Sequence, residues 1–512
     1  MLKLEEIYLG DIDAKNEVLG SDPQELQRFV QSYVKPPSFS LDKYKSRQKY
    51  FIVGLKGTGK TALLRYVSLK LEEEESAVSR FILFKSEIDE SLRKDFAHAS
   101  RVQIVEENSD AFDGDDYEAV WRWFIYRKIA DAMQSASVDL FQRNGAFSDF
   151  NAIVNSEALS KSGKLGVMRL IPSIKKGHVE ISRSPKLGLD LEWDSNGMAR
   201  VNFNELVRRA DQAFLELGAG TQRLNLFFDE LELNYGTAKQ HQRDARLIRD
   251  LIVSIERLNA IAKTAGFNFC LYAAVRSEVL ISVDSLGKEI NKPVTSFGSE
   301  ILWNRPGLDA TQQPLLNIIE QRINNARKEK GLPELEPTKV WSEYFPDNIH
   351  KLKPQVYILH NSWYRPRDIV RLLLTAQEQY PSEYKFAVQT LEAIRKKYSS
   401  ASWVELTEEL KAKYKAPEIE GIKYIFYGYK QISSLSELTE RSRGVSENHK
   451  ETSDLLERHS IKEVLKDLFR IGAVGNIDKR RERMRFSFRG DDEILFDDEI
   501  FVHNALRAHL SI

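Results

Sequence analysis

The residues FIVGLKGTGKTALL, 51–64, restrict the possible folds of this chain more than any other stretch. They match G-x-x-x-x-G-K-[ST], with Gly54, Gly59, Lys60 and Thr61 at the fixed positions. Tyr50, Phe51, Ile52 and Val53 form an apolar run suited to a buried strand. After Thr61, the apolar residues Leu63, Leu64, Val67 and Leu71 recur at helical spacing. Strand, glycine-rich loop and helix are the setting that a phosphate-binding loop requires. Glycines let backbone N–H groups close around phosphate oxygens, and the helix start adds positive dipole. Gly54, Gly57, Thr58, Gly59, Lys60, Thr61 and Ala62 are therefore the candidate nucleotide-binding residues. In this pattern Lys60 reaches the β/γ-phosphates and Thr61 ligates Mg²⁺.

A second stretch, RLNLFFDELEL at 223–233, supplies the carboxylates such a loop needs. Leu224, Leu226, Phe227 and Phe228 read as a buried strand ending in Asp229 and Glu230. An acid at the carboxyl end of a buried strand lies beside the phosphate site of an open α/β sheet. Asp229 is the candidate Mg²⁺ ligand, directly or through water, and Glu230 the candidate base for the attacking water. The competing reading, a strand that merely ends in acids at a turn, is weakened by the phosphate loop upstream. FNFCLYAAVR, 267–276, is another buried strand, and it ends in Arg276. Arg276 is either a phosphate sensor or a surface residue at a strand end. SWYRPRDIVRLLLTAQ, 362–377, predicts a helix with Pro366 in its first turn and Ile369, Val370, Leu373 and Leu374 on its apolar face.

Taken together these motifs resemble the AAA+ and STAND branch of P-loop ATPases, and more narrowly the bacterial STAND-like ATPases found in antiphage defence loci. The resemblance covers roughly residues 50 to 380. It implies an α/β fold: an ASCE-type parallel sheet flanked by helices, a helical lid and a C-terminal winged-helix-like module. The P-loop strand would lie at the sheet centre and the Asp229 strand third in connectivity. The lid would carry a second arginine sensor, Arg365 or Arg367. Two departures stand out. The strand that ends in Asn or Thr in many AAA+ proteins ends here in Arg276, as in STAND proteins. The segment between loop helix and Asp229 strand is also longer than usual. Asn291-Lys292 is followed by Pro293-Val294, so the guanine-selecting N-K-x-D pattern is absent and ATP is the expected nucleotide.

At 512 residues the chain has room for about three domains of roughly 150 residues. The expected division is an N-terminal arm at 1–49 packing on the nucleotide domain, an ATPase core at 50–305, a lid at 306–398 and a winged-helix-like domain at 399–512. An insertion is expected at 134–200, with Val179 and Ile181 answering Leu187, Leu189, Leu191 and Trp193 in a hairpin. The acidic cluster at 106–116 reads as a solvated loop ending in a helix cap at Asp116. Val120, Trp121, Phe124, Ile125, Ile129 and Met133 read as a core-facing helix rather than a base-stacking platform.

The 75 basic and 76 acidic residues nearly cancel, so no global field points to nucleic acid or membrane. Cys270 is the single cysteine, which leaves no disulfide framework and no zinc spacing. No run of eighteen apolar residues suits a membrane span, and the N-terminus lacks the apolar centre of a signal peptide. A cytoplasmic compartment is expected. No motif for a separate effector chemistry occurs. The expected role is an ATP-hydrolysing switch, forming a homo-oligomer and acting on an effector protein of another chain. The alternatives are a DNA-binding ATPase of the initiator or loader type, and a scaffold that binds ATP with little turnover.

At the C-terminus, Met484, Phe486 and Phe488 alternate with Arg483, Arg485 and Arg489, and a strand at Ile494–Phe496 is expected to pair with them. With Lys479, Arg480 and Arg481 this suggests a DNA-contacting wing. The acids Asp491, Asp492, Glu493, Asp497, Asp498 and Glu499 follow at once, and paired strands of opposite charge would cancel that field. A protein-contact element is the favoured reading.

Overall fold

Strands buried on both faces are apolar throughout, and the strands bearing the two motifs are of this kind. In the computed structural model, residues 1–512 are described except 21, 89–92, 94–116, 136–137, 156–173, 176–177, 183–197, 234–237, 285, 412 and 479–482. The acidic cluster at 106–116, the strand expected at 187–193 and the basic run at 479–481 lie outside the described residues. The chain groups into two units. One comprises Ser40–Gly54 and Leu63–Glu300, the other Met1–Phe39, Leu55–Ala62 and Ile301–Ile512.

The first unit holds, in chain order, β1 (Phe51–Gly54), β2 (Val78–Leu83), β3 (Ile174–Lys175), β4 (His178–Ser182), β5 (Met198–Asn202), β6 (Leu224–Leu231), β7 (Phe269–Arg276) and β8 (Gly298–Glu300). Five of them form one sheet in the order β2-β6-β7-β1-β8, and every pairing in it is parallel. The strand leading into the phosphate loop is thus internal, and β7 lies between it and β6. The Asp229 strand, β6, comes third in connectivity after β1 and β2, as expected. This is a P-loop α/β fold. Parallel strands need crossovers, and the helices supply them.

Helix α1 (Lys60–Glu75) follows the loop, and its Leu63, Leu64, Val67 and Leu71 are all buried. Helix α2 (Glu118–Ser135) buries Trp121, Trp123, Phe124, Ile125, Ile129 and Met133, so its aromatics are core. Helix α3 (Phe203–Leu215) buries Leu206, Val207, Ala210 and Phe214. Helix α4 (Ala238–Ala265) packs on β7 and buries Leu251, Ile255 and Leu258; its Asn259 side chain bonds both the N–H and the C=O of Leu271. The insertion differs from expectation in its pairing: β4, which carries Val179 and Ile181, lies antiparallel between β3 and β5, so one neighbour is residues 198–202.

The N-terminal arm divides between the units: residues 40–49 lie with the sheet, where Arg47 donates to Phe267 O (2.7 Å) and the Tyr44 hydroxyl to Phe51 O (3.0 Å), and residues 1–39 lie in the second unit, tied to residues 317–386. Leu4 N–H donates to Glu383 O (2.7 Å), and Arg28 meets Glu329 (3.0 Å). The helices of the second unit include α5 (Asn317–Glu329), α6 (Pro366–Gln379) and α7 (Val388–Leu410), followed by α8 (Ala416–Phe426), α9 (Leu435–Ser446), α10 (Lys450–Arg458) and α11 (Ile461–Arg470). Helix α7 runs unbroken through residue 399. Ser434 and Ser460 start α9 and α11 with capping boxes to Glu437 and Glu463.

The C-terminal sheet comprises β9 (Ile432–Ser433), β10 (Val474–Asp478), β11 (Arg483–Arg485) and β12 (Glu499–Val502), in the antiparallel order β11-β10-β12-β9. Helices followed by this hairpin make a winged-helix-like module. The expected pairing of Met484–Phe488 with Ile494 and Phe496 is not formed. Met484 pairs with Ile477 on β10, and β12 lies on the other side of β10. The reason is local. Ser487–Arg489 is a 3-10 turn, Gly490 follows at φ +87°, and the Asp491 carboxylate accepts from Phe486 N–H (3.1 Å) and Arg483 (2.7 Å). The chain turns back before Ile494 and Phe496 can form a strand, and of the acids Glu499 alone enters one, at the start of β12.

Candidate functional site

The phosphate loop belongs to the second unit, and its backbone is set by two glycines, Gly57 at φ +81° and Gly59 at φ +91°. Both values are strained for any residue with a Cβ. The Leu55 carbonyl closes the loop from inside: it accepts from Thr58 Oγ1 (2.8 Å), from Thr58 N–H (3.3 Å) and from Lys60 Nζ (2.8 Å). Thr58 and Lys60 are buried, whereas Thr61 and Ala62 are half-buried on the first turn of α1. The loop carbonyls are held as well. Gly57 O accepts from Arg367 N–H (3.4 Å), and Thr58 O accepts from the Trp303 indole N–H (3.0 Å). With carbonyls so engaged, loop N–H groups are left to face an anion.

The start of α6 rests on this loop. A Cβ on Gly57 would lie 3.4 Å from Arg365 Cδ and 3.5 Å from Arg367 Cβ; one on Gly59 would lie 3.9 Å from Pro366 Cγ. The two arginines differ in what holds them. Arg367 Nη1 donates to Glu405 Oε1 on α7 (2.8 Å), and Glu405 also takes Arg371. Arg365 is buried, and its Nε has no hydrogen-bond partner among the described residues. Between them Asp368 is buried. Burial pushes its carboxyl above the usual carboxylate range, against the pull of Arg371, Arg365, Arg367 and Lys56.

In the first unit, the carboxyl ends of β1, β6 and β7 share one edge of the sheet. Gly54 is in register with Arg276. Asp229 is buried, and its Oδ1 accepts from Glu230 N–H (2.8 Å). Glu230 lies at φ +57°, where the register of β6 against β7 shifts between Phe228 and Leu231. Such a bulge re-aims a side chain at the end of a strand. Arg276 is paired with Glu232, and Lys85 lies 3.6 Å from the same carboxylate. The structure therefore gathers the candidate residues in two groups. Gly57, Thr58, Gly59 and Lys60 meet Arg365 and Arg367, while Gly54, Asp229, Glu230 and Arg276 share the strand edge.

The fit to a polyphosphate is testable on these observations. A guanidinium with an unused buried N–H lies against a loop whose glycines leave no Cβ, and the residues fit an anion bound there. Sequence reasoning missed Trp303 and Glu405. Trp303 stands in a non-periodic stretch, LWNRP, where a lone tryptophan before a proline is the available signal. Glu405 looks like an ordinary acid on an amphipathic helix.

The family model described as the FunZ-associated C-terminal helical domain matches residues 313–407, a span that includes Arg365, Arg367 and Glu405. No curated protein matches the chain. Among solved structures the chain is similar to Cdc6p from Pyrobaculum aerophilum, with a TM-score of 0.34 and 11% identity over 95% of this chain and 96% of that one. No helix among the described residues is long and apolar enough to cross a membrane.

Proposed function

We propose that this chain binds ATP at the loop carrying Lys60, hydrolyses it, and uses the cycle as a switch on a separate effector protein. One observation carries the reading: a buried arginine with an unused N–H lies against a glycine loop whose outward carbonyls are already engaged. That arrangement suits a bound polyphosphate. Lys60 binds the β/γ-phosphates, and the N–H groups of Gly59, Lys60, Thr61 and Ala62 bind phosphate oxygens. Thr61 and Asp229 would hold the Mg²⁺ that accompanies ATP, an ion that neutralises phosphate charge. Glu230 takes the proton of the attacking water. Arg276 exchanges Glu232 for phosphate, and Arg365 reports the γ-phosphate to α6. Arg367, held by Glu405, orients that helix. Homo-oligomerisation, a cytoplasmic setting and a role in antiphage defence complete the proposal; these rest on the motif resemblance.

The winged-helix-like module favours a second reading, a DNA-binding ATPase. Against it, Asp491 lies 2.7 Å from Arg483 and 3.6 Å from Arg485, which leaves less charge for phosphate. Salt-dependent duplex binding that is lost on replacing Arg483 and Arg485 would favour this second reading.

Turnover measured with Mg-ATP tests the first reading. Glu230→Gln should bind ATP yet slow hydrolysis by about 100- to 10,000-fold, the range for loss of a general base. Wild-type turnover in that variant removes Glu230 from the reaction, and absence of turnover in the unaltered chain favours the scaffold.

A further inference from the structure

Just before α6, Trp363 and Tyr364 lie in succession at φ +43° and +52°. Left-handed backbone is unfavourable for L-residues with bulky side chains, so two in a row persist only through what their side chains touch. The structure shows those contacts, and the groups that make them come from the C-terminal module. Trp363 is buried; its indole N–H donates to Gly472 O (2.8 Å), and its ring stacks on His503 at 4.1 Å and 14°. Gly472 follows α11 at φ +81°, and a Cβ there would lie 3.0 Å from both Trp363 Cδ1 and Phe488 Cδ1. Tyr364 lies under the Arg489 guanidinium, 4.8 Å from ring centre to Cζ, and its hydroxyl accepts from Arg489 Nη2 (3.1 Å). Burial, with Arg489, His360 and Arg365 nearby, drives His503 well below the ordinary histidine range, so the stack is between neutral rings.

The next residue is Arg365. Its neighbours on the helix are fixed by acids: Arg367 by Glu405, and Arg371 by Glu405 and Asp368. No acid pairs with Arg365 among the described residues; its place over Gly57 follows from the backbone turn that precedes it. We infer that the C-terminal module is a positioning element of the nucleotide site, setting Arg365 over the phosphate loop through Trp363, Tyr364 and Arg489. The inference rests on the proposed ATP reading and adds a direction of control. Whatever draws the module off the Trp363–Tyr364 turn loosens the arginine that reads the γ-phosphate. By linkage, ATP tightens the module on the turn to the same degree.

The test is equilibrium binding of Mg-ADP and of the β,γ-imido analogue of ATP to the full chain. Arg489→Met should weaken the analogue about tenfold, and Tyr364→Phe about threefold, with ADP within about twofold of wild type, because the affected arginine serves the γ-phosphate. In an Arg365→Ala background, Arg489→Met should add nothing, since both act through one group. Tyr364→Phe removes a single oxygen and carries the test should Arg489→Met fail to fold. Unchanged analogue binding in these variants overturns the inference. So does an equal loss of analogue and ADP, which marks a merely structural role, or full additivity with Arg365→Ala. Lys60→Ala run alongside separates the two readings. If it weakens binding about 10- to 100-fold while Arg489→Met and Tyr364→Phe match wild type, only this inference falls; if the wild-type chain binds neither nucleotide, both fall.

Discussion

Gly57 and Gly472 sit under the two ends of one short stretch, residues 363–365, and both have φ +81°. Each leaves room for a large side chain, Arg365 at the first and Trp363 at the second. They differ in completeness. At Gly472 the indole N–H has its acceptor and the ring has its stacking partner. At Gly57 the guanidinium Nε is buried without a hydrogen-bond partner among the described residues. A buried, unsatisfied donor costs about 1–3 kcal/mol, more when charged, so such a group persists where something else completes it. The Gly472 joint is finished within the protein; on the proposed reading, the Gly57 joint is finished by an anion.

Substitution at each glycine separates the two joints most sharply. Gly472→Val places a β-branched residue at positive φ and drives its Cβ into Trp363 and Phe488. It should destabilise the fold by about 2–4 kcal/mol in denaturant or thermal unfolding. Gly57→Ala meets Arg365 Cδ at an ordinary distance of 3.4 Å and should cost about 1 kcal/mol of stability, all from backbone strain, while weakening ATP. Equal stability losses would erase the contrast. The arginines come next. Arg365→Ala should weaken ATP by about 1.5–3 kcal/mol, the worth of a charge-assisted hydrogen bond, without lowering the melting temperature. Arg367→Ala should do the reverse in smaller measure, about 0.5–1 kcal/mol of stability, because its partner Glu405 keeps Arg371. Exchanged outcomes would show Arg367 to be the sensor.

The smallest effect concerns pH. His360 is pulled down to about 4 by burial and by Arg489, and His503 is pushed down by burial as well. A histidine whose folded pKa is depressed gives stability that is complete above the unfolded value of about 6.5 and is lost as pH falls toward the folded value. Melting temperature should therefore fall between about pH 6.5 and 4. Asparagine at both positions should flatten that fall, and an unaltered profile would remove these histidines from the account.

The strand edge that carries Asp229 was legible in sequence because its signal is local. Four apolar residues, a glycine loop and a helical repeat are adjacent in the chain, and Asp229 and Glu230 lie near the end of a strand of unmistakable composition. The difference in how Arg365 and Arg367 are held was not legible. It depends on the left-handed turn at Trp363 and Tyr364, which is held by residues more than a hundred positions away. The strand pairing within the wing was not legible for a similar reason. Met484, Phe486 and Phe488 alternate as one strand would, but the 3-10 turn at 487–489 ends it. Its true partner, VGNID, is too short and polar to announce itself. The division of the arm, residues 40–49 with the sheet and 1–39 with the helices, was not legible, because an amphipathic helix states that it packs, not against what.

The account stands on ATP completing the loop beneath Arg365. Calorimetric titration of Mg-ATP into the full chain and into Lys60→Ala, side by side, tests this most directly. The expected result is saturable one-site binding by the unaltered chain and affinity about 10- to 100-fold lower in the variant, with equal melting temperatures, as one charge-assisted phosphate contact of about 1.5–3 kcal/mol requires. Equal affinity in the two proteins, or no binding by either, would contradict it.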